Sequence, residues 1–187
     1  MNPAKRIVIN TVAQYSRSII TIILSLYSTR LILAALGVSD FGIYSIIGGV
    51  VAMLGFITNA LVVTTQRYVS FHYGQEDMDA VRKVFSNSLL IHAVFAIVLS
   101  LILFLLKDVV IYHWIKIPLD RIDAAENVYL FTIAILAITI LIAPYKAVFI
   151  ARENIVYISI VEVLDGFLKL FLAVYITYST FDKLVLY

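Results

Sequence analysis

With 187 residues, 63% of them hydrophobic and only 14% charged, and a mean hydropathy of +1.02, the chain departs from the roughly 25% charged content of soluble domains and reads as an integral membrane protein. The net charge of +2 implies no polyanion partner, nucleic acid included, at the level of the whole chain. The absence of cysteine excludes disulfides, thiolate metal sites and cysteine nucleophiles.

The opening MNPAKR, followed by a long apolar run, exceeds the length of a signal-peptide core and passes directly into Arg30 and a second apolar stretch. It reads as an uncleaved first helix. A span needs roughly 20 apolar residues. On that measure the fold class is all-α, a polytopic transmembrane bundle forming one domain over 1–187. It has complete spans at about 10–36, 41–67, 84–106, 127–149 and 155–178 and a sixth beginning near Leu184. The chain is expected to be part of a longer protein.

At 100° per residue, Asn10, Gln14, Arg17, Thr21, Ser25 and Ser28 form one strip on the first span, opposite Val8, Val12, Tyr15, Ile19, Ile22, Ile23 and Leu26. An arginine near the bilayer centre costs on the order of 3 kcal/mol on insertion scales. The strip is therefore expected to face other helices or a wet cavity. Arg30 lies nearly opposite the strip, with snorkelling or pairing to Asp40 as its expected fate. Gly37 is expected to cap the first span and Ser39 or Asp40 the second, which makes the two an antiparallel hairpin.

The second span carries Ser45, Gly48, Ala52 and Gly55 in register, a pattern for close helix packing, with Gly48-Gly49 as an alternative hinge. Arg67 closes it, as a positive-inside anchor or as an anion contact at the inner mouth. Residues 74–83 read as a short surface helix, and His92 on the third span as hydrogen-bonded structure. Residues 107–126 read as the longest loop, with Asp120 capping the next helix, and Pro144 as a kink in the fourth span. Lys146, Arg152 and Glu153 mark an inner turn. On the fifth span Ser159, Glu162, Asp165, Gly166, Lys169, Ala173 and Thr177 share a face. Asp165 and Lys169, spaced i,i+4, neutralise each other and leave Glu162 the freer carboxylate. That trio reads either as an ion-coupling site or as a structural ion network.

Lysine and arginine counts favour a cytoplasmic N-terminus. Lys5, Arg6, Arg67, Arg82, Lys83, Lys146 and Arg152 fall on inner flanks, against Arg30, Lys107, Lys116, Arg121 and Lys183. No catalytic or metal motif occurs, and His72, His92 and His113 lie on separate elements. The expectation is a protein that is not an enzyme and holds no metal or cofactor.

The run from Tyr27 to Tyr44, with Thr29-Arg30, Leu36-Gly37 and Asp40-Phe41-Gly42-Ile43-Tyr44, resembles the first-hairpin signature of polysaccharide flippases. These belong to the multidrug/oligosaccharidyl-lipid/polysaccharide exporter superfamily and include O-antigen flippases. Thr65-Gln66-Arg67-Tyr68, Pro144 and Ala151-Arg152-Glu153-Asn154 add to the likeness. The resemblance implies two six-helix lobes, of which this chain supplies the N-terminal one, its partner being a C-terminal lobe missing here. It further implies alternating access that moves a polyprenyl-pyrophosphate-linked oligosaccharide across the bacterial cytoplasmic membrane. A cationic cavity would hold the pyrophosphate, with Arg17, Gln14, Thr21, Ser25, Arg30 and Arg67 as substrate-binding residues. Arg30 fits the signature but not the strip unless the helix bends. Energy coupling by H+ or Na+ would enter through Glu162, Asp165 and Lys169. The alternatives are a multidrug/cation antiporter of the same superfamily and a non-transporting truncated fragment.

Overall fold

The computed structural model describes residues 3–187, and they are helical almost throughout, with no strand among them. The side chain of Arg6, expected among the inner anchors, lies outside the described residues. Helix α1 spans Pro3–Ala52 but folds back at Gly37, whose φ of 77° and ψ of 172° only glycine adopts without strain. Then come α2 (Gly55–Gly74), α3 (Met78–Leu105), the single turn α4 (Lys107–Val109) and a π-turn over Val110–Trp114. A 3-10 turn over Leu119–Arg121 precedes α5 (Ile122–Ala151), α6 (Ile155–Tyr178) and the short α7 (Lys183–Leu186). The helical stretches Ile7–Gly74, Met78–Leu105 and Leu119–Ala151 are long and apolar enough to cross a membrane. Helix α6 is of similar length but carries Glu162, Asp165 and Lys169.

Contacts along the helices fix their directions. Asn10 Nδ2 donates to the Glu153 carbonyl, Arg17 reaches Glu162, and Ile32 is buried with Ala173 and Ile176, so the first arm of α1 runs parallel to α6. Helix α5 runs antiparallel to α3, with Phe85 against Tyr145 near one end and the Tyr129 hydroxyl donating to Leu103 O near the other. The α2–α3 hairpin is joined by a bond of 2.6 Å between the Thr65 and Ser88 hydroxyls. Helix α5 is the hub: Ala125, Tyr129 and Ile140 on it are fully buried, together with Ile43, Ile47 and Val51 of the second α1 arm. The apolar side of the first arm stays outside. Val8, Val12, Ile19, Ile22, Ile23 and Leu26 are all more than half exposed, as a lipid-facing surface requires.

Where α1 meets α6 the Leu24 side chain packs onto Gly166, since a Cβ there would stand 3.0 Å from Leu24 Cδ1. The small residues of the second span do no such work. A Cβ on Gly48, Gly49 or Gly55 meets nothing within 4 Å, so the expected packing seam is not formed. The second span is also interrupted: Met53 and Leu54 form a turn between α1 and α2, with Leu54 N bonding Val51 O three residues back. The expected Gly48-Gly49 hinge lies just upstream of that break.

Other expectations fail for local reasons. No separate surface helix forms over 74–83. Instead α2 ends in a tight turn with Glu76 at a φ of 59°, Asp77 N bonding His72 O, and Asp77 Oδ1 capping α3 through Ala80 N. The α5–α6 turn repeats this geometry with Glu153 at a φ of 56° and Asn154 N bonding Phe149 O. Asp120 does not cap α5, because the 3-10 turn shifts the N-cap to Arg121. Pro144, where a kink is expected, lies inside α5, which continues past it as one helix, and Pro144 and Ile140 are both buried.

At the end of the bundle carrying Gly37, Arg121 clasps two acids. Its Nε donates to Asp40 Oδ1 at 2.9 Å and its Nη2 to Asp40 Oδ2, while its Nη1 reaches Asp182 Oδ2 at 2.9 Å. This fork ties the α1 fold-back to the start of α5 and to the N-cap of α7, where Asp182 Oδ1 accepts from Leu184 N. Asp40 therefore pairs with Arg121 and not with Arg30, which is exposed.

Two predictions follow from the packing. Gly166→Val should pry α1 from α6 and lower stability by about 1–3 kcal/mol, read as an earlier thermal transition in detergent. Partial burial tends to raise the Asp182 carboxyl, but Arg121 and the Leu184 N–H outweigh it and hold the group below its ordinary value of 3.8. A carboxylate lowered on folding stabilises the protein above its unfolded value and loses that contribution as pH falls through the folded one. The native chain should therefore melt later than Asp182→Asn at pH 7, the two curves converging as pH falls through the lowered value of the folded state.

Candidate functional site

Helix α5 presents Thr139, Ile142, Ala143, Lys146 and Phe149 along one side at helical spacing, and these residues floor a groove of about 600 Å³. Helix α2 supplies one wall through Thr58, Asn59 and Val62. Helix α6 supplies the other through Tyr157, Ile158, Val161, Glu162 and Asp165. The lining is mainly apolar, and its charges gather on one side. It suits an amphiphile whose polar group is held at a fixed place while its apolar part lies against Val62, Ile142 and Val161.

The charged side is organised by one carboxylate. Glu162 Oε2 accepts from Arg17 Nη1 at 2.7 Å, and Glu162 Oε1 accepts from Lys146 Nζ at 2.8 Å. A single side chain on α6 thus joins α1 and α5. Side-chain exposure rises along the row, from 21% at Arg17 through 34% at Glu162 to 49% at Lys146, so Arg17 is the shielded end and Lys146 the open one. Next to it Asp165 and Lys169 pair at 2.7 Å, as their spacing foretells. The group carries two positive charges against one on Glu162, with Asp165 and Lys169 cancelling.

Glu162 is thus the most heavily partnered acid of its face, not the freer one, because Arg17 and Lys146 reach it from other helices. Of the residues expected in a cavity, Arg17 lies behind Glu162 and touches the groove only through it. Thr21 turns its hydroxyl to the Arg17 and Ser18 carbonyls of its own helix. Gln14, Ser25, Arg30 and Arg67 are exposed and do not line the groove. The polar strip of α1 is mainly a seam with α6: Asn10, Arg17, Thr21 and Ser28 are at least partly buried. Lys146 was the residue sequence reasoning passed over as a turn marker. Its signal was the spacing Thr139, Ala143, Lys146 on one face of the fourth span.

His92 belongs to a different place, the α2–α3 contact. It is buried, and its Nδ1 donates to Ser88 O at 2.7 Å beside the Thr65–Ser88 bond.

Because the chain contains no cysteine, single introduced cysteines report access without background. Thr139→Cys and Val161→Cys should react with a small water-soluble methanethiosulfonate about tenfold faster than Ile23→Cys on the lipid-facing side, since the reactive thiolate forms only where water reaches it. Equal rates at all three positions would mean the groove is dry.

No family model, no curated protein and no solved structure matches the chain.

Proposed function

We propose that the chain is the N-terminal lobe of a transporter that flips a polyprenyl-pyrophosphate-linked oligosaccharide across the bacterial cytoplasmic membrane by alternating access. In this reading the helices form five complete spans with the N-terminus in the cytoplasm, and a second lobe closes the pathway. The observation that carries it is the groove of α2, α5 and α6, mainly apolar, with Lys146 on its lining held by Glu162 and Arg17 paired behind that carboxylate. A diphosphate joined to sugars cannot cross hydrocarbon unaided. A protein moving it has to offer paired, exchangeable charge next to an apolar track for the polyprenyl tail. Parallel α1 and α6, and the hairpin at Gly37, agree with the alternating directions of such a lobe. The resemblance of the Tyr27–Tyr44 run to polysaccharide flippases supports the same reading. H+ or Na+ coupling is assigned to Glu162 and Asp165.

A second reading has its own support: Glu162 and Asp165 both line the groove, as acids would in a multidrug/cation antiporter. The two are separated in cells that lack their own flippase. Expression of the gene should restore surface polysaccharide, and Lys146→Met at equal membrane abundance should reduce it at least about tenfold, as expected for truncating one member of a charge pair that contacts the cargo. Unchanged polysaccharide with lost resistance to cationic dyes would favour the antiporter.

A further inference from the structure

We infer that Glu162 is the groove's resident counter-anion: it holds Lys146 while the groove is empty and yields that lysine to the diphosphate head group of the cargo, keeping Arg17. This rests on the lipid-linked reading above and specifies how its binding site is kept neutral between loads.

Three observations carry it. Each oxygen of Glu162 serves a different cation, Oε2 for Arg17 and Oε1 for Lys146, so one bond can be exchanged while the other stays. The two cations differ in access: Lys146 lines the groove and is 49% exposed, whereas Arg17 is 21% exposed and does not line it. Lysine also has the right mechanics, a compact ammonium on a flexible four-carbon stem that swings from one oxygen to another, where the planar guanidinium of Arg17 is the fixed partner. The remaining charges on the groove do not compete, because Asp165 is engaged by Lys169 at 2.7 Å.

The exchange follows from charge. Without Glu162, Lys146 and Arg17 would stand as two unpaired cations among packed helices, and a carboxylate spanning both removes that cost. An arriving diphosphate bears more negative charge than one carboxylate and attracts Lys146 more strongly at the same separation. The Asn59 amide on the groove lining can donate to oxygens that Lys146 does not reach. Glu162 then stays with Arg17, so the α1–α6 seam is undisturbed by loading. The carboxylate sets how tightly the head group is held, which favours release on the far side over permanent capture.

The purified chain in detergent, titrated calorimetrically with geranyl diphosphate and with geraniol as the uncharged control, tests this. Removing the internal competitor in Glu162→Gln should tighten geranyl diphosphate about fivefold to tenfold, somewhat less than close, fully shielded charge pairs show because Lys146 is half exposed, with geraniol unchanged. Glu162→Asp keeps the charge but is one methylene too short to span both cations. It should fall between the two proteins, and it decides the matter if Glu162→Gln does not fold. Lys146→Met should lose the preference for the diphosphate in every background. If the native chain prefers the diphosphate through Lys146, yet neither Glu162 variant binds it more tightly, Glu162 is a structural bridge and the exchange is overturned while the lipid-linked reading stands. If no protein distinguishes geranyl diphosphate from geraniol, the lipid-linked reading falls and takes the exchange with it.

Discussion

A charge inside a membrane protein has to be answered by another charge, and here a single carboxylate answers two. Glu162 accepts from Arg17 on one side and Lys146 on the other, so the first, fifth and sixth helices meet at one acidic group. Much of the surrounding architecture can be understood as keeping that meeting in place. Asn10 ties α1 to the α5–α6 turn on one side of the pair, and Leu24 packs on Gly166 on the other, holding α1 and α6 in register. Burial of Ile140 and Pro144 keeps α5 continuous across the turn that presents Lys146.

The far end of the bundle uses the same logic with the signs reversed: one cation, Arg121, answers two acids, Asp40 and Asp182. The two centres differ in setting. Arg121 sits among loops and helix starts, where its fork matches a carboxylate in two contacts and fixes geometry. Glu162 sits between long helices beside a groove, where one of its two bonds is open to exchange. One clasp is suited to staying shut and the other to opening, and that difference separates scaffold from site.

Much of the architecture was legible in the sequence because membrane helices advertise themselves by length and composition. The Gly37 fold-back, the two-sided first helix and the Asp165–Lys169 pair all follow from local spacing. What was not legible depends on partners distant in sequence. Arg17 invited a wet cavity because nothing nearby could neutralise it, yet its partner is Glu162 on the last long helix. Arg30 stood nearer to Asp40 than Arg121 did, but Arg121 approaches with its whole fork. The break at Met53–Leu54 had only glycines to signal it, and glycines signal many things.

The parallel course of the first and last long helices has a consequence for biogenesis. Arg17 and Glu162 are separated by 145 positions along the chain, and parallel neighbours can meet only after the intervening helices have entered the bilayer. During synthesis the guanidinium therefore waits without its acid until the chain between the two has been laid down, a long-range closure of the kind that slows assembly. The groove cannot be completed before α6 is in place, and an insertion intermediate would display an unsatisfied basic helix to whatever machinery holds nascent membrane chains.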